Sequence, residues 1–310
     1  MQKSIRLLSI TSVLGLTFFL INATKKDNHI VSKKGITQDS IKKNVSQSYE
    51  IKALKLPNYM ELAGERVPLE KADIRERMDR ELLVNTYWQS NGLLLIKRAN
   101  KFFPIIEPLL KKHNLPDDFK YLALAESGLM NVTSRAGAAG FWQFMKATAK
   151  QYGLEVNNNV DERYNLELAT EMAAKYLNKA KTKFGTWTLA AAAYNAGSGK
   201  INKRITQQKV TDYYDLLLNL ETSRYVFRIL ALKEVISNPK KYGFVFDQED
   251  LYQPTPTYNI EITKPITDIA DFATKYNITY KELKLVNPWL RETKLVNVSG
   301  KKYILKIPKK

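Results

Sequence analysis

A chain of 310 residues, 44% hydrophobic and 11% aromatic, has material for one medium domain, a small second domain and leftover segments. It has no cysteine, which excludes disulfides, thiolate catalysis, thiolate metal sites and a lipid-bearing cysteine. With only His29 and His113, a histidine triad or a two-histidine zinc site has little to draw on. The balance of 49 Lys and Arg against 31 Asp and Glu gives a net charge of +18, which attracts nucleic acid, acidic lipid headgroups or an anionic cell wall without choosing among them.

The N-terminus makes that choice. Lys3 and Arg6 precede an apolar run over 7–21, closed by Ile21-Asn22-Ala23 and Lys25-Lys26, the pattern of a secretory signal peptide over 1–23. An uncleaved anchor is second choice, because a spanning helix needs about 20 apolar residues. Export to the periplasm or cell envelope follows as an expectation, with the basic surface facing wall or membrane and no nucleic acid as partner. The lysines are scattered, whereas a nucleic-acid binder gathers them on one face. Residues 24–65, rich in Lys, Asn, Ser and Gln with scattered single hydrophobes, read as a flexible tether, with a short peptide docking onto the main domain as the alternative within it.

From Val67 the pattern turns helical. Ala72, Ile74, Met78, Leu82, Leu83 and Tyr87 have helical spacing within 71–98, and a second helix is predicted over 93–113. Asn114-Leu115-Pro116 breaks it, and Asp117 or Asp118 can cap a helix through Leu124. Further helices are predicted over 146–152, 166–184, 187–194 and 224–237, with Gly153, Gly185 and Gly197 where C-terminal caps belong. This mainly α block spans 66–245. A linker over 246–257 contains Gln253-Pro254-Thr255-Pro256-Thr257. Residues 258–310 read as a small β-α-α-β unit, with strands over 257–262 and 302–307 around helices at 266–276 and 280–286.

Three stretches carry chemistry. In Phe119-Lys-Tyr-Leu-Ala-Leu-Ala-Glu126-Ser127-Gly128 a carboxylate follows a mostly apolar run at a helix end. Desolvation would raise its pKa and make it a general acid near neutral pH. Taken alone, it reads first as a helix-terminal glutamate facing water. In Gly140-Phe141-Trp142-Gln143 the aromatic rings offer flat apolar faces for a sugar, and Gln143 offers an amide; a turn followed by core aromatics is the even alternative. In Ala-Tyr194-Asn195-Ala-Gly197 close helix packing is the default role, but a phenol and an amide stand at a helix end.

In this order, followed by Glu221-Thr222-Ser-Arg-Tyr225-Val226, these motifs resemble the lytic transglycosylase catalytic domain. That domain is related to goose-type lysozyme, and the match is closest to the membrane-bound murein transglycosylase D group. The resemblance covers 66–245 and implies a lysozyme-like helical fold. It implies Glu126 as the sole catalytic acid/base and Ser127 as a hydroxyl helping to position the reacting sugar. Gly140, Phe141, Trp142 and Gln143 would line the cleft, Tyr194 and Asn195 would flank the substrate, and Tyr225 would approach the acid. Phe144-Met145-Lys146 departs from the family, which often has an aliphatic pair and proline there. Glu221 matches a structural position, expected to pair with a basic or backbone group.

Ordinary glycosidases use two carboxylates, and these motifs offer one. The expected reaction is therefore non-hydrolytic cleavage of the MurNAc-β-1,4-GlcNAc bond of peptidoglycan strands, leaving 1,6-anhydro-MurNAc ends. The alternatives are a hydrolytic muramidase on the same scaffold and a non-catalytic wall-binding protein. No metal or organic cofactor is expected, and the chain is expected to act as a monomer at the anionic envelope. Ile269-Ala270, Tyr276-Asn-Ile278-Thr279, Asn287-Pro288 and the closing Tyr303-Ile304-Leu305-Lys306-Ile307-Pro308 resemble a LysM module. Lys264-Pro265 replaces its usual Gly-Asp.

Overall fold

The computed structural model describes residues 51–298 and 300–309. The predicted signal peptide over 1–23 and the tether as far as residue 50 lie outside the described residues. The described residues form one compact unit, mostly helical.

Chain order begins with a two-strand hairpin, β1 (Glu61–Leu62) and β2 (Glu65–Arg66), antiparallel. The hairpin corrects the end of the tether, which the sequence placed as far as 65, in favour of the docked peptide it held as the alternative: Met60 and Leu62 are buried in the core. Single hydrophobes in a polar stretch look solvated, yet here they dock on a core built elsewhere. Asp118, expected to cap a helix, instead accepts Ala63 N (2.7 Å) and Lys233 Nζ (2.6 Å), tying the hairpin down.

Two helices follow, α1 (Ala72–Tyr87) and α2 (Gln89–Lys112). The helical pattern over 71–98 is thus divided at Trp88, whose φ of −84° and ψ of 63° leave the helical region. A turn of 3₁₀ helix, Asp117–Phe119, leads into α3 (Lys120–Ser127). After a long loop come α4 (Lys146–Gln151), α5 (Leu166–Phe184), α6 (Trp187–Ala196), α7 (Ser198–Gln208) and α8 (Leu220–Ser237). Side-chain caps start three of them: Asn165 accepts Leu168 N, Thr186 accepts Leu189 N and Asn219 accepts Thr222 N. Residues 189–193 of α6 are wholly buried, and four of them are alanine, so α5 and α8 can close on the helix from both sides. Gly185 ends α5 in the left-handed region. Gly197 caps the C-terminus of α6 as expected, its N–H bonding Ala193 O, but its φ of 88° and ψ of 137° turn the chain straight into α7, a helix the sequence reading lacked.

The C-terminal unit is β-α-α-β, as its pattern predicts. Strands β3 (Thr257–Ile262) and β4 (Tyr303–Pro308) pair antiparallel, Thr257 opposite Pro308, with α9 (Ile269–Lys275) and α10 (Tyr280–Val286) between them. Its core includes Ile269, Leu283, Leu305 and Trp289, whose ring stacks on Tyr303 at 5.4 Å.

Candidate active site

The helix α3 owes its position to its apolar run. Tyr121, Leu122, Ala123 and Leu124 are buried, and Gly128, at φ 61°, takes the left-handed turn that stops the helix. Glu126 and Ser127 therefore stand in the last turn, with α3 packed on α8.

From α8 the Tyr225 hydroxyl donates to Glu126 Oε1. Glu126 keeps part of its surface, but protein surrounds most of its carboxyl. Burial pushes its pKa from 4.5 up to about 7; the Tyr225 hydrogen bond and the Arg228 charge oppose the rise, and the Glu221 charge adds to it. Burial, and then the charge of Glu126, hold the Tyr194 and Tyr225 phenols well above their usual range. Both are neutral donors beside an acid poised near neutrality.

The 134–144 loop supplies the adjoining wall. Ser127, 7% exposed, donates to Phe141 O at 2.8 Å and Ala123 O at 3.3 Å, so its hydroxyl binds the loop to α3. Tyr194 donates to Trp142 O at 2.6 Å. Gly140, at φ 80°, lies so close to the next segment that a Cβ would sit 1.9 Å from Arg163 O. Gln143 closes the turn by donating from its amide to Gly140 O (2.7 Å) and Val132 O (3.0 Å).

Two sequence expectations are corrected here. Trp142 is 0% exposed, its indole donating to Thr170 Oγ1 at 2.9 Å, and Phe141 is buried edge-on against Phe102. The Trp142 ring is closed to solvent and offers no platform for sugar, which is the core-aromatic alternative the sequence left open, whereas Phe141 lines a groove with Phe102, Ile105 and Tyr164. A large apolar side chain gains most from full burial. Glu221 is exposed, and its hydrogen bond comes from the Asn195 amide at 3.3 Å instead of from a basic or backbone group. Asn195 in turn accepts Thr222 Oγ1 at 2.9 Å, joining the end of α6 to the start of α8.

Three contributors escaped the sequence reading. Arg228 lies one turn beyond Arg224 on α8, and its charge reaches Glu126. Glu81, 1% exposed, accepts Arg80 Nη1 (2.5 Å) and Arg224 Nε (2.6 Å) and has Arg228 Nε at 4.0 Å. Its signal was a charge on the apolar face of Ile74 and Met78, at helical spacing. Arg163 donates to Asp161 through Nε and Nη2 and to Gly137 O and Phe144 O through Nη1. Among the described residues no group of three or more His, Cys, Asp or Glu side chains could hold a metal ion.

Residues 103–217 match the transglycosylase SLT domain, and residues 258–310 match the soluble lytic transglycosylase C-terminal LysM-like domain. The chain thus carries an SLT transglycosylase domain followed by a LysM-like domain. It is homologous to membrane-bound lytic murein transglycosylase D of Escherichia coli K12, with 31% identity over 243 residues, 76% of this chain and 52% of that protein. A shorter match, 47% identical over 70 residues, is to peptidoglycan transglycosylase gp16 of Escherichia phage T7, covering 22% of this chain and 5% of the phage protein. The chain spans about half the length of the transglycosylase D relatives it matches. Among solved structures, the 70 kDa soluble lytic transglycosylase of Escherichia coli aligns at 20% identity with a TM-score of 0.39, over 49% of this chain and 27% of that one.

Proposed function

We propose that the protein is a peptidoglycan lytic transglycosylase that cuts MurNAc-β-1,4-GlcNAc bonds and leaves 1,6-anhydro-MurNAc ends, with Glu126 as its single acid/base. The observation that carries this reading is the setting of Glu126. Its acid is held near neutrality by burial, receives a hydrogen bond from the neutral phenol of Tyr225, and stands beside a loop wall of backbone carbonyls. The catalytic unit over 66–245, the linker over 246–257 and export to the cell envelope belong to the same reading. In support of the last, the transglycosylase D relative of Escherichia coli is called membrane-bound, although no helix among the described residues is long and apolar enough to cross a membrane.

The reaction then runs in two proton transfers. Protonated Glu126 gives its proton to the glycosidic oxygen as the bond from that oxygen to the anomeric carbon breaks, and the N-acetyl group steadies the oxocarbenium-like charge. The carboxylate left behind accepts the proton of the sugar's own 6-hydroxyl, whose oxygen bonds the anomeric carbon. The acid is regenerated and no water is consumed. A pKa near the working pH suits a group that must be acid and then base. Among the described residues, Glu221 is the carboxylate whose charge acts on Glu126, and it is held by the Asn195 amide.

Mass spectrometry of products from purified peptidoglycan tests the reading, with Glu126→Gln as control. Anhydro-ended fragments from the parent and none from the control are expected. Reducing ends would make water the nucleophile and the protein a hydrolytic muramidase. Binding to peptidoglycan without release of fragments would make it a wall-binding protein.

A further inference from the structure

The C-terminal module does not hang from its linker. Its Trp289–Arg291 segment runs antiparallel to residues 159–161 of the SLT region: Asp161 N donates to Trp289 O (2.9 Å), Arg291 N donates to Asn159 O (2.9 Å), and Val160 pairs with Leu290. The Asn159 side chain spans the seam in both directions, donating to Lys294 O (2.6 Å) and accepting Val296 N (2.9 Å). Lys301 pairs with Glu162 (2.5 Å), and Tyr303 donates to Glu155 (2.8 Å). Ala139, Val160 and Tyr164 lie in the same apolar cluster as the module's own core. The seam is thus apolar and buried at its centre and hydrogen-bonded at its edge, the make-up of a fixed interface.

What the seam holds leads to the cleft. Asp161, whose amide the module binds, anchors both donors on one side of the Arg163 guanidinium, at 2.9 and 2.7 Å. The remaining Nη1 reaches Gly137 O (2.8 Å) and Phe144 O (3.1 Å), two carbonyls on either side of Gly140 in the loop that packs it against the Arg163 carbonyl. That loop supplies the carbonyls of Phe141 and Trp142 to Ser127 and Tyr194, beside Glu126. A forked guanidinium fixes direction as well as distance, which a lysine cannot do. The geometry points to a buttress: the C-terminal module holds the cleft loop in place through residues 159–163, with Arg163 as the positioning residue. The role differs from glycan capture by the module, and its kinetic part rests on the transglycosylase reading above.

Hydrogen exchange on the full chain tests the mechanical part without reference to activity. The amides of Ala139, Gly140 and Gln143 bond Phe144 O, Val132 O and Gly140 O within the loop. In Asn159→Ala and in Arg163→Lys these three amides are expected to exchange at least about fivefold faster, while the β4 amides of Leu305 and Ile307 stay protected and show the module folded. On a short soluble glycan fragment, too small to span cleft and module, both variants are expected to lose at least about threefold in kcat with KM nearly unchanged, because a misplaced wall acts on the reacting geometry. Unchanged loop exchange in both variants overturns the buttress. So does full kcat on the fragment combined with a raised KM on whole sacculi, which would make the module a glycan anchor. A parent inactive on both substrates would remove the transglycosylase reading and leave the exchange result to decide the buttress.

Discussion

Tyr225 donates its hydroxyl to Glu126 across the packed face of α8 and α3, and the two side chains set each other's chemistry. Burial and the charge of Glu126 keep the phenol neutral, so it can only donate to the carboxylate. The bond favours the ionised carboxylate and burial favours the acid; burial wins, leaving the acid at about 7. A group balanced in this way needs little driving force to move in either direction, which is what a single residue serving as acid and then base requires.

The first expectation concerns pH. With its pKa at about 7, Glu126 is protonated in the free enzyme below neutrality and loses its proton above it. A plot of kcat/KM for release of soluble fragments should therefore fall on the alkaline side with a midpoint about 7, and Glu126→Gln should lose at least about a hundredfold at every pH. A flat alkaline limb beyond pH 9 would remove Glu126 from the role of acid.

The same acid makes stability depend on pH. Its folded pKa lies above that of the unfolded chain, so the folded state binds the extra proton and is favoured below pH 4.5. That advantage fades as pH rises through about 7. Glu126→Gln has no such term. Relative to the difference at pH 4, the variant should gain on the parent by about 3 kcal/mol at pH 8 in denaturant unfolding. A gap that does not widen with pH would mean that the folded carboxyl titrates normally.

Removing the phenol works in the other direction. Tyr225→Phe keeps the ring and takes away the donor, so the anionic form of Glu126 loses a charge-assisted hydrogen bond. The alkaline limb should move to higher pH, and kcat should fall by about tenfold or more, since in the proposed reaction the carboxylate left by the first proton transfer is less well stabilised. A limb that moves to lower pH would contradict the direction assigned to this bond.

Much of this site could be read from the sequence, and what could not be read shares a physical cause. The Glu126 motif is local: an apolar run and a helix-stopping glycine mark a helix end within ten residues, but that its carboxyl is buried instead of facing water depends on α8 packing over it. The Tyr225 motif could be placed only through resemblance, because its meeting with Glu126 spans 99 positions. Trp142 shows the opposite limit. Residue type suggested a sugar platform, but whether a loop tryptophan faces a cleft or a core depends on what packs over it, here Thr170 of α5. The helix α7 was passed over because it has one buried residue, Ile201, and so almost no apolar stripe. The seam with the C-terminal module joins segments far apart in the chain, through backbone and amide contacts, isolated apolar residues and single ion pairs that leave no periodic signature.

Gly140 offers a test of the loop wall that spares every polar side chain. An added methyl would sit 1.9 Å from Arg163 O, a contact that the backbone of either segment must move to relieve, and φ 80° is itself costly for an L residue. Gly140→Ala should lower unfolding free energy by about 2 kcal/mol or more and reduce activity beyond that, since Phe141 O and Trp142 O shift with the loop. A variant with the parent's stability would mean that the loop yields freely.

Glu221 separates the one-carboxylate reaction from a two-carboxylate one. Its charge raises the pKa of Glu126, and it receives the Asn195 amide while lying open to solvent. If it only biases Glu126, Glu221→Gln should shift the alkaline limb to slightly lower pH and cost less than about fivefold in kcat, because a screened surface charge acts weakly. If it activates water, the variant should lose at least about a hundredfold, the scale of a missing general base, and the parent's products should end in reducing sugars. The two quantities move together only in the second case. A small rate loss with anhydro ends would leave Glu126 to perform both proton transfers alone, and a collapse in rate with reducing ends would make Glu221 its partner in a hydrolase.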